Sequence, residues 1–315
     1  MHIGASTDRH PEKAALIFAD RGIEVSYRQL DERSSRVARA LHAWGLRHGD
    51  GIAVMLANEE HFFDYFWAAM RSGLYFTPIN WHLAPDEVQY IVDNSDARVL
   101  VASASFAEQI TPIASRLPKI ERRLAVGGEI AGFERQEEAL APYPTSRIAD
   151  EREGAAMLYS SGTTGRPKGV RSPLRLDPAG QGGAQLLTLA FSSFFGFDEN
   201  DVYLCPGPLY HAAPLLFTQI QHRIGAIAVV LDRFPPGRAL AAIERHRVTT
   251  SQWVPTHFSR MLALSEEVKQ RYDLSTLKVA IHAAAPCPIP VKRRMIEWWG
   301  PRIVEYYAGT EGGGT

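Results

Sequence analysis

The sequence predicts an α/β fold made of two βαβ-type subdomains with mostly parallel sheets. Apolar segments of strand length alternate with helical segments in both halves of the chain, as they do in parallel βαβ units. These strand segments are apolar at nearly every position, which is typical of strands covered by helices on both faces. Between Gly127 and Gly154 the alternation gives way to acidic, proline-containing sequence. We therefore predict a first subdomain over residues 1–150 and a second over residues 151–315.

In the first half, a helix is predicted to begin at Ser26, because Ser26 and Gln29 have the spacing of a capping box. Leu30 and Val37 then fall on its apolar face, and Gly45 ends it. The strands that follow are GIAVMLAN, LYFTPIN and ARVLVAS, and the helices between them are HFFDYFWAAMRSG and APDEVQYIVDNS.

In the second half, the pattern resumes after a predicted loop rich in glycine and proline over residues 172–185. The predicted strands are AAMLYS, DVYLCP, GAIAVVL, VTTSQWV, LKVAIHAA and PRIVEYY. The segments PGRALAAIERHR and IPVKRRMIEWW are predicted helices between the later strands.

The composition excludes several classes of protein. A net charge of −1 over 315 residues gives no support for nucleic-acid binding. Two cysteines provide neither a disulfide framework nor a cysteine metal site. The first residues have no apolar signal region, and the longest apolar run is too short to cross a bilayer. We expect a cytoplasmic protein without an integral membrane segment.

The stretch YSSGTTGRPKGV, residues 159–170, follows a predicted strand directly. Its glycines allow backbone N–H groups to converge on an anion, and its hydroxyls and Lys168 add donors and a positive charge. It is not a Walker A loop, because Pro167 stands where the second glycine belongs and Gly169 where the Ser/Thr belongs. A surface turn is the alternative interpretation. The ordered combination favours a phosphate loop.

This stretch resembles the signature loop of the adenylate-forming superfamily, which includes acyl-CoA synthetases, aryl-CoA ligases and the adenylation domains of peptide synthetases. Three further stretches agree in order: PLYHAAP (208–214), HAAAPCP (282–288) and EYYAGTEGGG (305–314), the last with Ala308 where the family usually has glycine. The chain is similar to the large N-terminal domain of the acyl-CoA synthetase branch. The family's C-terminal domain, with its catalytic lysine, is not in this sequence.

The resemblance implies two half-reactions. A carboxylic acid reacts with ATP to give an acyl-adenylate and pyrophosphate, and coenzyme A then displaces AMP to give a thioester. The residues implied to hold the phosphates are Ser160, Ser161, Gly162, Thr163, Thr164, Gly165 and Lys168. Thr310 is implied to bind the α-phosphate and Glu311 to ligate Mg²⁺, whose preference for oxygen ligands suits a carboxylate. With His211, these two residues and Lys168 are the catalytic candidates.

The same resemblance implies an adenine and acyl-binding side. The small residues Ala283, Ala284 and Ala285 would flank the adenine, and Tyr307 would lie along the base or line the acyl pocket. His211 is expected beside the acyl carboxylate, although a lone histidine is also common as a packed structural residue. Trp253 and His257 are candidate pocket residues, with a structural role as the alternative. His222 and His246 lie beside arginines and are expected to be solvated.

The acid is predicted to be uncharged and apolar. Residues 202–231 contain no Asp or Glu that could pair with a substrate ammonium. The small residues Ala212, Ala213 and Ala283 leave room for a bulky or long acid, which favours fatty, branched or sterol-like acids over small benzoates. Two alternatives stay open: an aryl-acid ligase or adenylation enzyme that delivers to a carrier protein, and a non-catalytic nucleotide-binding protein. The 315-residue chain alone is expected to be poorly active and to self-associate as a homo-oligomer.

Overall fold

Two main β-sheets flanked by helices organise the chain in a computed structural model, which describes residues 1–160 and 166–309. The strands in chain order are β1 (Ala14–Phe18), β2 (Ile23–Ser26), β3 (Gly51–Met55), β4 (Tyr75–Pro78), β5 (Ala97–Ser103), β6 (Arg122–Val126), β7 (Glu134–Arg135), β8 (Ala155–Ala156), β9 (Leu158–Ser160), β10 (Lys168–Val170), β11 (Val202–Cys205), β12 (Ile227–Val230), β13 (Thr250–Trp253), β14 (Val279–His282) and β15 (Ile303–Glu305).

Helices lie between most of these strands. They are α1 (Ile3–Arg9), α2 (Tyr27–Ala43), α3 (Phe62–Arg71), α4 (Pro85–Asn94), α5 (Ala107–Ala114), α6 (Gln136–Leu140), α7 (Gly182–Phe195), α8 (Ala212–Ile224), α9 (Pro236–Arg245), α10 (Pro255–Leu262), α11 (Glu266–Gln270) and α12 (Ile289–Trp299). Within the part of the chain that the structure describes, none of them combines the length and apolar character needed to cross a membrane.

The sheet topology confirms the predicted α/β class with mostly parallel sheets. The seven-stranded sheet has the order β15-β14-β13-β11-β12-β1-β2, and only β2 runs antiparallel to its neighbour. The six-stranded sheet has the order β7-β6-β5-β3-β4-β8 and is parallel throughout. A separate antiparallel hairpin joins β9 to β10. Parallel strands need a long crossover connection, and most of the connections in this chain contain a helix.

Membership of the two sheets does not follow the predicted division at residue 150. The first two strands, β1 and β2, lie in the seven-stranded sheet, where β1 pairs with β12. Conversely, β8 extends the six-stranded sheet by pairing with β4. The division of the chain into residues 1–150 and 151–315 therefore stays a prediction, and each sheet draws a strand from across that boundary.

Local elements largely follow the sequence signals. The capping box at α2 is confirmed: the Gln29 amide donates to Ser26 Oγ at 3.2 Å, and the Ser26 amide donates to Gln29 Oε1 at 2.9 Å. The predicted strand AAMLYS is divided at Met157 between β8 and β9. The predicted loop over residues 172–185 is wrong in its last four residues, because α7 begins at Gly182.

Helix α3 is buried over its entire length. Phe62 and Phe66 pack edge-on against Phe76 of β4, with ring centroids 5.5 and 5.3 Å apart. On the opposite side, Phe63 lies 4.8 Å from the ring of His222 on α8. Most of its side chains are apolar, and its two charged residues, Asp64 and Arg71, are ion-paired. Such a helix is stable only inside the protein. This one fills the space between the six-stranded sheet and α8.

The expectation that His222 is solvated is wrong. Its side chain is fully buried, and Trp67 Nε1–H donates to its Nδ1 at 3.1 Å. The neighbouring Arg223 is buried as well, because it pairs with Glu153 and lies 5.2 Å over the Trp67 ring. Burial lowers the pKa of His222 to about 3. The imidazole therefore stays neutral in the folded protein at neutral pH.

Replacing His222 should make stability less dependent on pH. Because the folded-state pKa of about 3 lies below the ordinary value of 6.5, the unfolded chain binds a proton first as the pH falls. The free energy of unfolding should therefore decrease below pH 6.5, with His222 contributing up to about 1.4 kcal/mol per pH unit. In His222→Gln, whose amide oxygen can still accept from Trp67, urea unfolding between pH 6.5 and 4 should show a shallower decrease. The exposed His42→Gln is the matched control, and an equal slope in wild type and His222→Gln would contradict the assignment.

Candidate active site

The segments that follow β3 and β4 contact the segment that follows β11, and the segment after β3 also contacts the end of β12. We call the region beyond the carboxyl ends of these four strands the crevice. Ligands of parallel α/β sheets commonly bind beyond the carboxyl ends of the strands. This crevice is therefore the first place to seek a site.

Asn58, just beyond β3, joins the two sheets at the crevice. Its Nδ2 donates to the carbonyl oxygens of Gly207 at 3.0 Å and Leu231 at 2.8 Å. Its Oδ1 accepts from the Leu209 amide at 2.9 Å. The acceptor and donor groups follow β11 and β12, so a single buried amide holds the ends of both strands.

Aromatic rings extend this contact. Trp81, which follows β4, stacks on Phe106, which follows β5, with centroids 5.3 Å apart and planes at 11°. Tyr210 meets Trp81 edge-on at 6.2 Å. The segment between β11 and α8 is thus held against the first sheet by an amide and by ring packing.

The segment Pro208–His211 forms a turn that buries one side chain and leaves two at least partly exposed. The His211 amide donates to the Pro208 carbonyl at 3.1 Å. Leu209 is fully buried, whereas Tyr210 is half-buried and His211 is exposed at the N-cap of α8. Gly207 is required before the turn, because a Cβ there would lie 2.9 Å from Pro214 Cγ. Tyr210 and His211 are therefore presented to the crevice.

The environment of His211 favours the neutral imidazole. Partial desolvation lowers its pKa below the ordinary value, and the neighbouring His82 lowers it further. Its ring lies 4.4 Å from that of Tyr210. A neutral imidazole can both donate and accept a hydrogen bond. Its predicted place beside an acyl carboxylate is compatible with this chemistry and stays a prediction.

The predicted phosphate loop lies in the sequence between the two strands of the β9–β10 hairpin. Lys168 lies directly opposite Ser160 in the antiparallel register, and Gly169 lies opposite Tyr159. Lys168 is exposed. The other predicted phosphate-binding residues, Ser161, Gly162, Thr163, Thr164 and Gly165, lie outside the described residues. The hairpin therefore brings the first hydroxyl and the cation of the motif side by side.

Helix α4 carries this hairpin. The Tyr159 hydroxyl donates to Asn94 Oδ1 at 2.7 Å, and the Arg166 guanidinium lies 5.4 Å over the Tyr90 ring. Trp81, which contacts Tyr210, lies just before the same helix. A ten-residue helix is about 15 Å long, so the hairpin and the Pro208–His211 turn are linked through one short rigid element.

The alanine segment after β14 is partly exposed. Ala283 is buried, and its amide donates to the Trp253 carbonyl at 3.3 Å, while Ala284 and Ala285 are exposed. Ala284 has a φ of +75°, a strained conformation for a residue other than glycine. Tyr307 is 78% exposed, and it is Tyr306 that packs inward, 5.8 Å from Phe217. The predicted adenine contacts stay predictions.

The two remaining pocket candidates differ. Trp253 is fully buried, donates to Ser251 Oγ at 2.7 Å and packs 5.5 Å from Trp299. It has no exposed surface in this structure and is a core residue. Its pocket role stays a prediction. His257 is half-buried and lies 3.9 Å from the Phe234 ring. Burial, with Arg260 nearby, lowers its pKa to about 4.

The predicted metal site depends on residues outside the described part of the chain. Thr310 and Glu311 both lie there. Within residues 1–160 and 166–309, no group of three His, Cys, Asp or Glu side chains is placed to hold a metal ion. The assignment of Glu311 to Mg²⁺ therefore stays a prediction.

Sequence reasoning missed Asn58 and Trp81. Asn58 is the first polar residue after the apolar strand GIAVMLA, and Trp81 follows the next strand in the same way. Polar or aromatic residues directly after buried parallel strands are the signal that could have identified them. The partners of Asn58, and the Tyr210 ring that Trp81 meets, are more than a hundred residues away, so these contacts are not visible in the sequence.

Comparison with known proteins agrees with this geometry. A family model described as "AMP-binding enzyme" matches residues 4–315. The chain belongs to the AMP-binding enzyme family. Among curated members similar to it, the acyl-CoA ligase sidI of Aspergillus fumigatus is 28% identical over 90% of this chain and 50% of its own length. The 4-coumarate–CoA ligase 5 of Oryza sativa subsp. japonica is 31% identical over 87% of this chain and 50% of its own.

The chain thus spans half the length of these two relatives. The fold of this AMP-binding enzyme is also similar to the solved N-terminal domain of FACL13 from Mycobacterium tuberculosis. The TM-score is 0.82 at 21% identity, over 99% of this chain and 76% of that domain. At this identity the likeness supports the fold.

Removing the charge of Lys168 should weaken nucleotide binding. In Lys168→Met of the complete protein, affinity for ATP–Mg²⁺ should fall about tenfold or more, because a hydrogen bond to a charged group contributes about 1.5–3 kcal/mol. Isothermal titration calorimetry measures the change. Lys119→Met, which removes an exposed lysine paired with Asp96, is the control and should bind as wild type does. If Lys168→Met binds ATP–Mg²⁺ as tightly as wild type and Lys119→Met do, the phosphate-loop assignment is contradicted.

Proposed function

We propose that the complete protein is an AMP-forming acid–thiol ligase, which activates a carboxylic acid with ATP and transfers the acyl group to coenzyme A. The observation that supports it best is the linkage through α4 of two chemically distinct groups. On one side is the Ser160–Lys168 hairpin, suited to phosphates, and on the other is the turn that presents His211. A ligand with phosphates at one end and an acyl group at the other would engage both groups.

The first half-reaction needs charge neutralisation and alignment. A carboxylate oxygen attacks the α-phosphorus of ATP, and the bond to the pyrophosphate leaving group breaks. Both reactants are anions, so the enzyme must hold them in line and offset their repulsion. Lys168 would supply a positive charge at the phosphates, and Ser160 a hydroxyl donor. Mg²⁺, for which Glu311 is the proposed ligand, would add further neutralisation of phosphate charge.

The second half-reaction needs a base near the acyl carbonyl. The coenzyme A sulfur attacks this carbonyl, the bond to AMP breaks, and the thiol proton must be accepted. A neutral imidazole can hydrogen-bond a carboxylate oxygen in the first step and accept this proton in the second. The lowered pKa of His211 keeps it in the required neutral form.

The acid is proposed to be apolar, of the fatty, branched or sterol-like type. The groups against Tyr210 and His211 are the rings of Trp81 and the nearby His82, and residues 202–231 carry no carboxylate. A substrate ammonium group held against residues 202–231 would find no carboxylate among them. An apolar tail would contact rings and small side chains instead.

Substrate specificity can be tested with the complete protein and a panel of acids. ATP–pyrophosphate exchange should respond to apolar fatty or branched acids and not to zwitterionic amino acids. Thioester formation should then require coenzyme A. Matched pairs of a fatty acid and the corresponding 2-amino acid provide the control. A strong response to the amino acids would favour an adenylation enzyme, a preference for benzoates would favour an aryl-acid ligase, and no exchange with any acid would favour a nucleotide-binding protein without this activity.

A further inference from the structure

We propose that Asn58 is a positioning residue for the acyl-binding turn Pro208–His211. The proposal rests on the function proposed above, because it takes Tyr210 and His211 as the acyl side of the site. Asn58 lies on the other sheet and contacts neither ring. It would act by fixing the backbone from which these two side chains project.

The hydrogen bonds of Asn58 engage both ends of its amide. Both Nδ2–H groups are donated, one to the Gly207 carbonyl at 3.0 Å and one to the Leu231 carbonyl at 2.8 Å. Oδ1 accepts from the Leu209 amide at 2.9 Å. The residue is 5% exposed. A buried amide with all its donors used has one orientation, so it defines where its partners must lie.

The turn has little backbone hydrogen bonding of its own. Pro206 and Pro208 have no N–H group, and the Leu209 N–H is satisfied by Asn58. Gly207 and Leu209 flank Pro208, whose carbonyl accepts the His211 N–H. Asn58 therefore fixes the residues on both sides of the proline at which the turn begins. A shift there would be transmitted to Tyr210 and His211.

The third partner connects this turn to the sheet. Leu231 directly follows β12, and Gly207 lies two residues beyond β11, its neighbour. Asn58 comes from the segment after β3 in the six-stranded sheet. The amide thus sets the position of the turn relative to both sheets, and with it the distance from His211 to the hairpin carried by α4.

A purely structural role for Asn58 predicts a different result from a positioning role. Loss of a structural hydrogen bond lowers stability and the amount of active enzyme, without distinguishing between substrates. Loss of a positioning contact at the acyl side should affect the acid and not ATP, because the hairpin is held separately through Tyr159–Asn94 and Arg166–Tyr90. It should also loosen the turn locally.

The test uses Asn58→Ala in the complete protein. We expect kcat/KM for the acid to fall about tenfold or more, since each unmet buried backbone group costs about 1–3 kcal/mol. KM for ATP should stay within about twofold of wild type. By hydrogen–deuterium exchange, the Leu209 amide should exchange about tenfold or more faster, while the amides of Val99 to Val101 in β5 stay unchanged.

Gln136→Ala is the matched control. It also truncates a buried side-chain amide, which accepts from the Tyr65 hydroxyl at 2.8 Å away from the crevice. In this variant kcat/KM for the acid and KM for ATP should keep the relation they have in wild type, and the Leu209 amide should exchange at the wild-type rate. If Asn58→Ala does not fold, Asn58→Ser retains one hydroxyl donor and should show the same pattern with a smaller effect.

The proposal is overturned if Leu209 exchanges as in wild type, or if acid and ATP kinetics change equally, as in Gln136→Ala. Failure of the proposed function is recognised separately, because the wild-type protein would then activate no carboxylic acid. In that case the exchange measurement alone decides whether Asn58 holds the turn.

Discussion

The burial of α3 is the constraint on which the rest of the structure depends. This helix is enclosed on all sides, so the six-stranded sheet and α8 must both pack against it. Its aromatic side chains fix the distance between the six-stranded sheet and α8. The buried hydrogen bond from Trp67 to His222 sets the rotation of α8 about its axis. Because α8 begins at the Pro208–His211 turn, the position of the turn follows from this packing. The crevice lies beyond the carboxyl ends of β3, β4, β11 and β12.

The candidate site is therefore built from segments that the core brings together and that short-range contacts then align. The hairpin is aligned by α4, the turn by Asn58 and Trp81, and the alanine segment by β14. Each supplies one chemical feature: a cation with hydroxyls, a neutral imidazole, and a small backbone surface. The reaction proposed for the complete protein joins two anions, and such a reaction needs groups held at fixed distances more than it needs covalent participation by the protein.

The local features of this fold could be predicted from the sequence because each depends on neighbouring residues. The capping box at Ser26, the apolar strand β3 and the phosphate loop are examples. Features that depend on distant partners could not. Strand β1 joins the seven-stranded sheet by pairing with β12, more than two hundred residues away. His222 is buried against Trp67, and Arg223 beside it is buried because it pairs with Glu153. The predicted site was derived from motifs, so it omitted Asn58, whose partners lie about 150 to 170 residues along the chain.

The central claim is that the hairpin and the Pro208–His211 turn form the two sides of one acyl-adenylate site. A crystal structure of the complete protein with a non-hydrolysable ATP analogue and an apolar carboxylic acid tests it most directly. We predict phosphate density against Ser160 and Lys168, and the acyl group against Tyr210 and His211, with Asn58 keeping its three hydrogen bonds. A fully occupied analogue elsewhere on the molecule, with both the hairpin and the turn free of ligand, would contradict it.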